Sequence, residues 1–485
     1  MNFRLVLYLL GRLSVICALA LLIPLFTALY FGEVAFWGFA SSIAVTGAIG
    51  LSFKGFGEKM RQSRLKIKEA MATVGFGWIF VCIIGALPYY FVSFVGPWDA
   101  LFESVSGFTT TGVTTVNTLR EFPVSILVWR SLTHWAGGVG VIMLFITIMP
   151  QVGGGANYLF HAEIPGPASE RTLPKIKESA MVIFSIYGAF TLLAMLALKL
   201  IGMSWIRSFT LALASVATGG FSFYYDSLVE FENFYVELIV MLSMLAASIN
   251  FALYYKLYQR KYKEFWYDPE RRAYIGIILV AASAIALNLF LENNYEPLES
   301  VRKALFQTIS IASTTGFTTD NFDRWPDFSK FVLLILMFVG GCSGSTAGGI
   351  KISRFIILLK ITWAELLRSI HPRVVYSITL GRTNVPQPVI GNVVRFFYLY
   401  MLAFGALTLL VSLSGLTVIE SMGLIASCMS NIGPAFGIIA PTESYAALTD
   451  YARGIAMLAM LLGRLEIFTL LVIMRPDFWR DTKEW

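Results

Sequence analysis

Long apolar stretches of this chain alternate with short polar ones on a plan that repeats. Two blocks open it, at roughly 4–31 and 35–53, and each is long enough to cross a bilayer at about 1.5 Å of helix rise per residue. A basic link follows at 54–69. Then one unit recurs four times: a long apolar block, a segment of about 15 residues, a hydroxyl- and glycine-rich turn, and a second long block. The long blocks lie near 70–95 and 124–150, 178–202 and 232–258, 272–292 and 328–366, and 389–414 and 453–475. The short segments lie near 97–111, 204–218, 300–315 and 419–432. A helix that short cannot cross the hydrocarbon, so each predicts a half-crossing that returns as extended chain, allowed only inside protein or along water. The organisation expected is therefore 1–69 for two helices and a link, with repeats at 70–177, 178–271, 272–388 and 389–485.

The turns carry the symmetry. They read Thr109-Thr110-Thr111-Gly112-Val113-Thr114, Ala217-Thr218-Gly219-Gly220-Phe221, Ser313-Thr314-Thr315-Gly316-Phe317-Thr318 and Ser430-Asn431-Ile432-Gly433-Pro434. Phe102, Phe209 and Phe306 each stand ten residues before a glycine (Gly112, Gly219 and Gly316), while the fourth unit has Gly423 there. Four such turns at matching places predict an all-α integral membrane protein. Two N-terminal helices would precede four membrane–pore-helix–membrane repeats around a single pore with four-fold pseudosymmetry.

Composition agrees with the pattern. Hydrophobic residues make up 57%, charged residues 14%, and the mean hydropathy is +0.70; soluble domains carry about 25% charged residues. The net charge of +7 is then read as basic cytoplasmic loops rather than nucleic-acid binding. The four cysteines, Cys17, Cys82, Cys342 and Cys428, and three histidines show no metal spacing and no disulfide framework. No nucleophile–base set stands out, which argues against an enzyme. The opening apolar run is longer than a signal peptide's and is expected to stay as a helix.

Charge also orients the chain. Lys54, Lys59, Arg61, Arg64, Lys66 and Lys68 crowd the first link, and Arg171, Lys256, Lys261, Arg271, Arg368 and Arg382 sit between units. Asp99, Glu103, Asp226, Glu230, Asp320, Asp323, Glu443 and Asp450 lie on the turn side. By the positive-inside rule both termini are cytoplasmic and the short segments enter from outside. An acidic mouth would gather cations.

A cation crossing lipid must exchange water for other oxygens, and rings of backbone carbonyls can supply them. Aiming successive carbonyls inward calls for positive φ, which glycine adopts without steric cost. Threonines add hydroxyl oxygens, and half-helices ending at the turns point their negative ends toward the ion path. Neutral oxygens without a carboxylate ring suit a weakly hydrated monovalent ion.

With TTTGVTTV at 109–116, ATGGFS at 217–222, STTGFTTDN at 313–321, NIGP at 431–434, EIPGP at 163–167, GGCSGSTAGGIK at 340–351 and GRLEIFTLLV at 463–472, the chain resembles the Trk/Ktr/HKT superfamily of potassium transporters, bacterial TrkH type, over its whole length. The resemblance implies potassium uptake across a bacterial inner membrane, with K⁺ ions held by four filter strands. These would be Thr110, Thr111, Gly112 and Val113; Ala217, Thr218, Gly219 and Gly220; Thr314, Thr315, Gly316 and Phe317; and Asn431, Ile432, Gly433 and Pro434. In related plant transporters a serine at the first filter position goes with sodium permeation; glycine here implies potassium preference. Ile432 departs from the hydroxyl that stands before the other three glycines, so the fourth strand would offer carbonyls only. A homodimer with one pore per protomer, a cytosolic nucleotide-binding TrkA-type ring and contact with membrane lipid are implied as well.

Two features fall where a gate would be. Gly340, Gly341, Cys342, Ser343, Gly344, Ser345, Thr346, Ala347, Gly348 and Gly349 interrupt the third unit's second block, and so many glycines should break a helix. The phosphate-loop pattern is not met, since Lys351 does not directly follow the last glycine. The resemblance makes this an intramembrane loop gating the filter; a close-packing segment is the plainer alternative. Arg464 lies within the last block, where a charge costs about 3 kcal/mol and must face water, a partner or the pore. The resemblance places it beneath the filter; a salt bridge to another span is the alternative. Glu466, two residues on, faces another side of the helix. Ser248-Ile249-Asn250 and His134-Trp135 are read as packing chemistry. A proton- or sodium-coupled symporter is the rival function, and it would want a membrane-embedded carboxylate.

Overall fold

The computed structural model describes residues 1–58, 66–93, 95–116, 119–139, 173–223, 227–231, 233–292, 295–374, 376–381, 383–441 and 443–479. Lys59, Arg61, Arg64, Arg171, Asp226, Arg382, the EIPGP motif at 163–167 and the end of the block expected at 124–150 lie outside these residues. Helices dominate the described residues; a two-stranded antiparallel ribbon pairs Thr379–Leu380 with Thr383–Asn384. Six helices there are long and apolar enough to cross a membrane, or up to eight if each of two bent pairs counts as one span.

The chain opens with Phe3–Ala20 and Leu22–Phe31, together one apolar span, followed by Ala35–Gly57. Glycine lets these helices touch backbone to backbone: a Cβ on Gly11 would stand 2.8 Å from the carbonyl oxygen of Gly50. Ser14 donates to the Thr46 carbonyl at 2.7 Å, closing the same contact. Glu33 fastens this pair to the first repeat. Its carboxylate accepts from Val124 N (2.7 Å), Ser125 N (3.2 Å) and Ser125 Oγ (2.5 Å), at the start of a helix, where the dipole favours an anion.

In the four repeats the first spans are Ile67–Ser93, Leu173–Leu200, Pro269–Glu292 and Gln387–Ser412. The short helices are Pro97–Phe108, Trp205–Val216, Pro297–Ala312 and Val418–Ser430. Their starts are legible chemistry: proline in the first turn of two of them, a Ser204 cap and a Thr417–Glu420 capping box. They form the buried centre. Phe102 and Phe306 are 0% and 1% exposed, whereas Leu193, Leu291 and Leu409 on the first spans are 62%, 66% and 70% exposed. Apolar side chains turned outward at that level are what a lipid-facing surface requires.

The second spans depart from expectation. The third is broken as foreseen, into Asp327–Phe338 and Ile352–Ile370. The second and fourth, expected to be continuous at 232–258 and 453–475, are broken too. Phe234–Ala247 meets Phe251–Tyr258 at 92°, and Asp450–Arg464 meets Phe468–Met474 at 111°. At the first break the Asn250 side chain caps the new helix by accepting from Ala252 N. At the second, Glu466 and Ile467 take φ of 53° and 59°, an outlier for non-glycine residues and most of all for a β-branched one.

Candidate functional site

Each short helix ends in the same way. Its last turn is closed by one residue with φ near the left-handed value: Thr110 (59°), Thr218 (52°), Thr314 (55°) and Asn431 (56°). The next residue donates its N–H five residues back, from Thr111 to Ser106, Gly219 to Ala214, Thr315 to Ser310 and Ile432 to Ser427, each at 2.9 Å. Helices commonly stop with such a left-handed residue, usually glycine or asparagine. Threonine there costs about 1–2 kcal/mol, and three of them at equivalent positions mark a segment held under backbone strain.

Two residues on stand Gly112 (φ 81°), Gly220 (82°), Gly316 (84°) and Gly433 (112°). These glycines close a ring. A Cβ on Gly112 would lie 2.0 Å from Gly219 O, one on Gly220 2.2 Å from Thr315 O, one on Gly316 1.8 Å from Ile432 O, and one on Gly433 2.5 Å from Thr111 O. Each repeat thus meets the next, and the fourth returns to the first. No side chain larger than hydrogen fits at any of these four positions.

The ring corrects two expectations. In the second turn the equivalent of Gly112 is Gly220, not Gly219, so Phe209 is one residue out of register and Thr210 holds the place of Phe102 and Phe306. Two adjacent glycines hid the shift; the positive φ of Gly220 reveals it. Consequently the residue before the ring glycine is Thr111, Gly219, Thr315 or Ile432. The fourth strand is not alone in lacking a hydroxyl there, since Gly219 lacks one too.

Further bonds hold the strands. Ser106 donates to Val113 O (2.6 Å), Ser310 to Phe317 O (2.6 Å) and Ser427 to Gly433 O (2.7 Å). The second repeat has Ala214 there; its strand is instead braced by buried His134, whose Nδ1 accepts from Phe221 N at 3.5 Å and whose ring stacks on Phe221 at 4.0 Å. These serines were missed by the sequence reading, although each stands six residues before its ring glycine. Asn431 joins fourth strand to first by donating to Thr111 Oγ1 at 3.1 Å, and to its own second span through Met460 O at 3.0 Å.

Glu103 is also placed differently from expectation. It is fully buried, not an acid of the mouth. It accepts from Thr114 Oγ1 (2.5 Å), Thr115 N (2.8 Å) and Arg130 Nε (3.2 Å), and Arg130 lies 3.9 Å from the Phe221 ring centroid. Above the ring opens a funnel with a cavity of about 70 Å³, floored by Gly112, Gly220, Gly316 and Pro434 and bordered by Glu443 and Tyr445. Among the described residues no cluster of His, Cys, Asp or Glu could hold a resident metal.

On the opposite side the ring is covered. The loop 339–351 runs between the halves of the third repeat's second span, its ends paired through Gly340 N and Ile350 O (3.0 Å). Gly348 N donates to Thr314 Oγ1 at 2.6 Å, and a Cβ on Gly348 would stand 2.4 Å from Ser430 O. Thr346 Oγ1 reaches Val216 O and Ala247 O, both at 3.2 Å. Gly344 O accepts from Phe251 N (3.1 Å), and Lys351 Nζ donates to Ala347 O within the loop. Arg464, at the end of its helix, donates to Thr110 Oγ1 (3.2 Å), Thr346 O (3.4 Å) and Gly137 O (2.5 Å). One guanidinium therefore touches the ring's first strand, the loop and the first repeat. Glu466 pairs with Arg354 at 2.6 Å.

Comparison with known proteins follows the same outline. The model of the TrkH family, described as cation transport protein, matches residues 32–480. The Trk system potassium uptake proteins TrkH of Salmonella typhimurium and of Escherichia coli K12 are each 35% identical, over 99% of this chain and 100% of the relative. TrkG of Escherichia coli K12 is 30% identical over 99% of both chains. The crystal structure of the potassium transporter TrkH from Vibrio parahaemolyticus superposes with a TM-score of 0.88 at 32% identity, covering 99% of this chain and 100% of that one.

Proposed function

The chain belongs to the TrkH family of cation transport proteins, and we propose that it takes up potassium through a channel-like pore whose filter is the ring of four glycine turns. The observation that carries this reading is the closed contact of each ring glycine with the carbonyl of the next strand. Neutral oxygens held by four short helices replace the water of a monovalent cation without binding it too tightly to leave. Rb⁺ should follow K⁺. Thr110, Thr111, Thr218, Thr314 and Thr315 add hydroxyls, and Val113, Phe317 and Pro434 carry the strands on toward the funnel.

The loop from Gly340 to Lys351 together with Arg464 then forms the gate. A fixed positive charge beneath the ring raises the barrier to a cation, and the loop fills the path that the ion must take. The remaining assignments are a homodimer in the bacterial inner membrane, both termini cytoplasmic, and a TrkA-type nucleotide-binding ring docking on the cytoplasmic face.

Ion-coupled symport is the second reading. It needs a carboxylate free to carry a proton or bind a sodium ion. Three buried or half-buried acids around the ring and its loop are engaged, Glu103 with Arg130 and Thr114, Glu466 with Arg354, and Glu270 with Ser343, while Glu443 stands at the border of the funnel, outside the ring. Uncoupled flow is favoured on that ground. Flux of K⁺, Rb⁺, Na⁺ and Li⁺ into liposomes decides between them: K⁺ and Rb⁺ flux without a proton gradient is expected, with discrimination lost in Gly112→Ser. Flux that requires a proton or sodium gradient and ignores Gly112→Ser would replace the filter reading with coupling.

A further inference from the structure

Glu270 sits in the first turn of the third repeat's first span and is 6% exposed. A buried carboxylate is costly unless its oxygens are satisfied, and what satisfies this one is the glycine-rich loop. Glu270 Oε1 accepts from Ser343 N (2.6 Å), Ser343 Oγ (2.9 Å) and Ser353 N (3.1 Å). The two serine hydroxyls bond each other at 2.6 Å. Ser343 lies within the loop and Ser353 in the first turn of the helix after it, so one oxygen ties both flanks together. The position at that helix N-terminus also suits an anion. Arg464 Nη1 also reaches the loop at Thr346 O (3.4 Å); the other bonds that seat it come from neutral groups: Cys342 N to Ser248 O at 2.9 Å, Thr346 N to Ala247 O at 3.3 Å, and Gly348 N to Thr314 Oγ1 at 2.6 Å.

The residue beside it links this anchor to the connection between the second and third repeats. Arg271 donates to Phe265 O (2.9 Å) and Trp266 O (2.7 Å), and Asp268 accepts from Arg271 N at 2.8 Å. The segment around Phe265–Asp268 is thus bonded directly to the turn that holds Glu270.

We infer that Glu270 is a positioning residue of the gate: its carboxylate holds the glycine-rich loop against the underside of the ring, and its loss frees the loop to leave the ion path. The inference rests on the reading of that loop as the gate. Glu270 touches no ion, so its loss changes how often the path is open and not which ion passes. Cys342 reports the movement, since it is fully buried next to Ser343.

The test is Rb⁺ flux in liposomes together with thiol labelling of Cys342, in full-length protein carrying Cys17→Ala, Cys82→Ala and Cys428→Ala. If the open form is about 1–10% populated in the parent, Glu270→Ala should raise flux about tenfold and expose Cys342, with the Rb⁺/Na⁺ ratio unchanged. Glu270→Gln keeps a carbonyl that can accept the same bonds and should stay near the parent. Ser343→Ala, which removes one of the donors, should shift flux and labelling the same way by a smaller factor, and it serves if Glu270→Ala does not fold. A protein with residues 344–347 deleted separates the two levels of the argument. Raised flux in the deletion with parental flux and a protected Cys342 in Glu270→Ala would overturn the role of Glu270 alone. Parental flux in the deletion itself would remove the gate reading, and the role of Glu270 with it.

Discussion

The two sides of the ring obey different rules. On the side of the short helices the four repeats are nearly interchangeable: left-handed angles within 52–59° after each helix, and ring glycines at 81°, 82°, 84° and 112°. On the other side the second, third and fourth repeats, the ones described there, share a break but differ in what it carries. The second bends by 92°, the third inserts a loop, and the fourth bends by 111° and presents Arg464. Coordinating an ion on the axis demands equivalent oxygens from all sides, which keeps four strands alike. Blocking a narrow path needs only one loop and one charge, so the far side is free to diverge. Selectivity is thus proposed to belong to the shared half and control of flow to the unshared one.

The largest effects should come from breaking the symmetric half. Gly316→Ala places a methyl 1.8 Å from Ile432 O and 2.9 Å from Pro434 Cδ. Overpacking of about 1–3 kcal/mol adds to left-handed strain of about 1–2 kcal/mol. Loss of K⁺/Na⁺ discrimination and a clear fall in melting temperature are expected, and wild-type selectivity in this variant would refute a tightly closed ring. The second turn offers a sharper comparison. A Cβ on Gly219 meets His134 Nδ1 at 2.3 Å, whereas one on Gly220 meets Thr315 O at 2.2 Å. His134→Ala should therefore partly rescue Gly219→Ala and leave Gly220→Ala unimproved, measured as selectivity and melting temperature in the double variants. The opposite pattern would restore Gly219 to the ring position.

Arg464→Ala attacks the asymmetric half. In the proposed pore its charge lies beside the ion path, where removing roughly 1–3 kcal/mol of barrier corresponds to about 5- to 150-fold in rate. Faster Rb⁺ flux at an unchanged Rb⁺/Na⁺ ratio is expected. Arg464→Lys keeps the charge but not the fork that spans Thr110, Thr346 and Gly137, and should fall between alanine and the parent. If Arg464→Ala altered selectivity instead of rate, the division between the two halves would fail.

How much was legible follows the same division. The paired N-terminal helices, the four repeats and the short helices could be read because their signals are local: apolar length, a starting cap, a Thr-Gly turn. The breaks after Ala247 and Arg464 could not. Apolar composition resumes after both, so the polar residues at each, Ser248 and Asn250 in one and Arg464 and Glu466 in the other, did not stand out as breaks, and distant partners help hold them, Gly344 O receiving Phe251 N and Arg354 gripping Glu466. Glu103 was misplaced for a similar reason. Charge alone assigns it to a watery mouth, but Arg130, 27 residues away, and the Thr114–Thr115 strand make burial tolerable. The register of Gly219-Gly220 was hidden by the adjacent glycines, although Gly220-Phe221 matches Gly316-Phe317 and Thr218 stands where Thr110 and Thr314 do.

The smallest predicted effect tests how far the symmetry of the strands depends on their tethers. Ser106, Ser310 and Ser427 each donate to a carbonyl of their own strand, while the second repeat has Ala214. Ser106→Ala removes one buried hydrogen bond to Val113 O, a loss of about 1 kcal/mol, because the second repeat shows that a strand can hold its turn without this hydroxyl. A small drop in melting temperature with a nearly unchanged K⁺/Na⁺ ratio is expected. The same change at Ser427 should cost more, because that hydroxyl also accepts from Gly433 N at 2.9 Å and reaches Pro434 O at 3.1 Å. Equal effects at Ser106 and Ser427 would mean that the tethers act on the short helices and not on the ring, and the four strands would then owe their likeness to the glycine contacts alone.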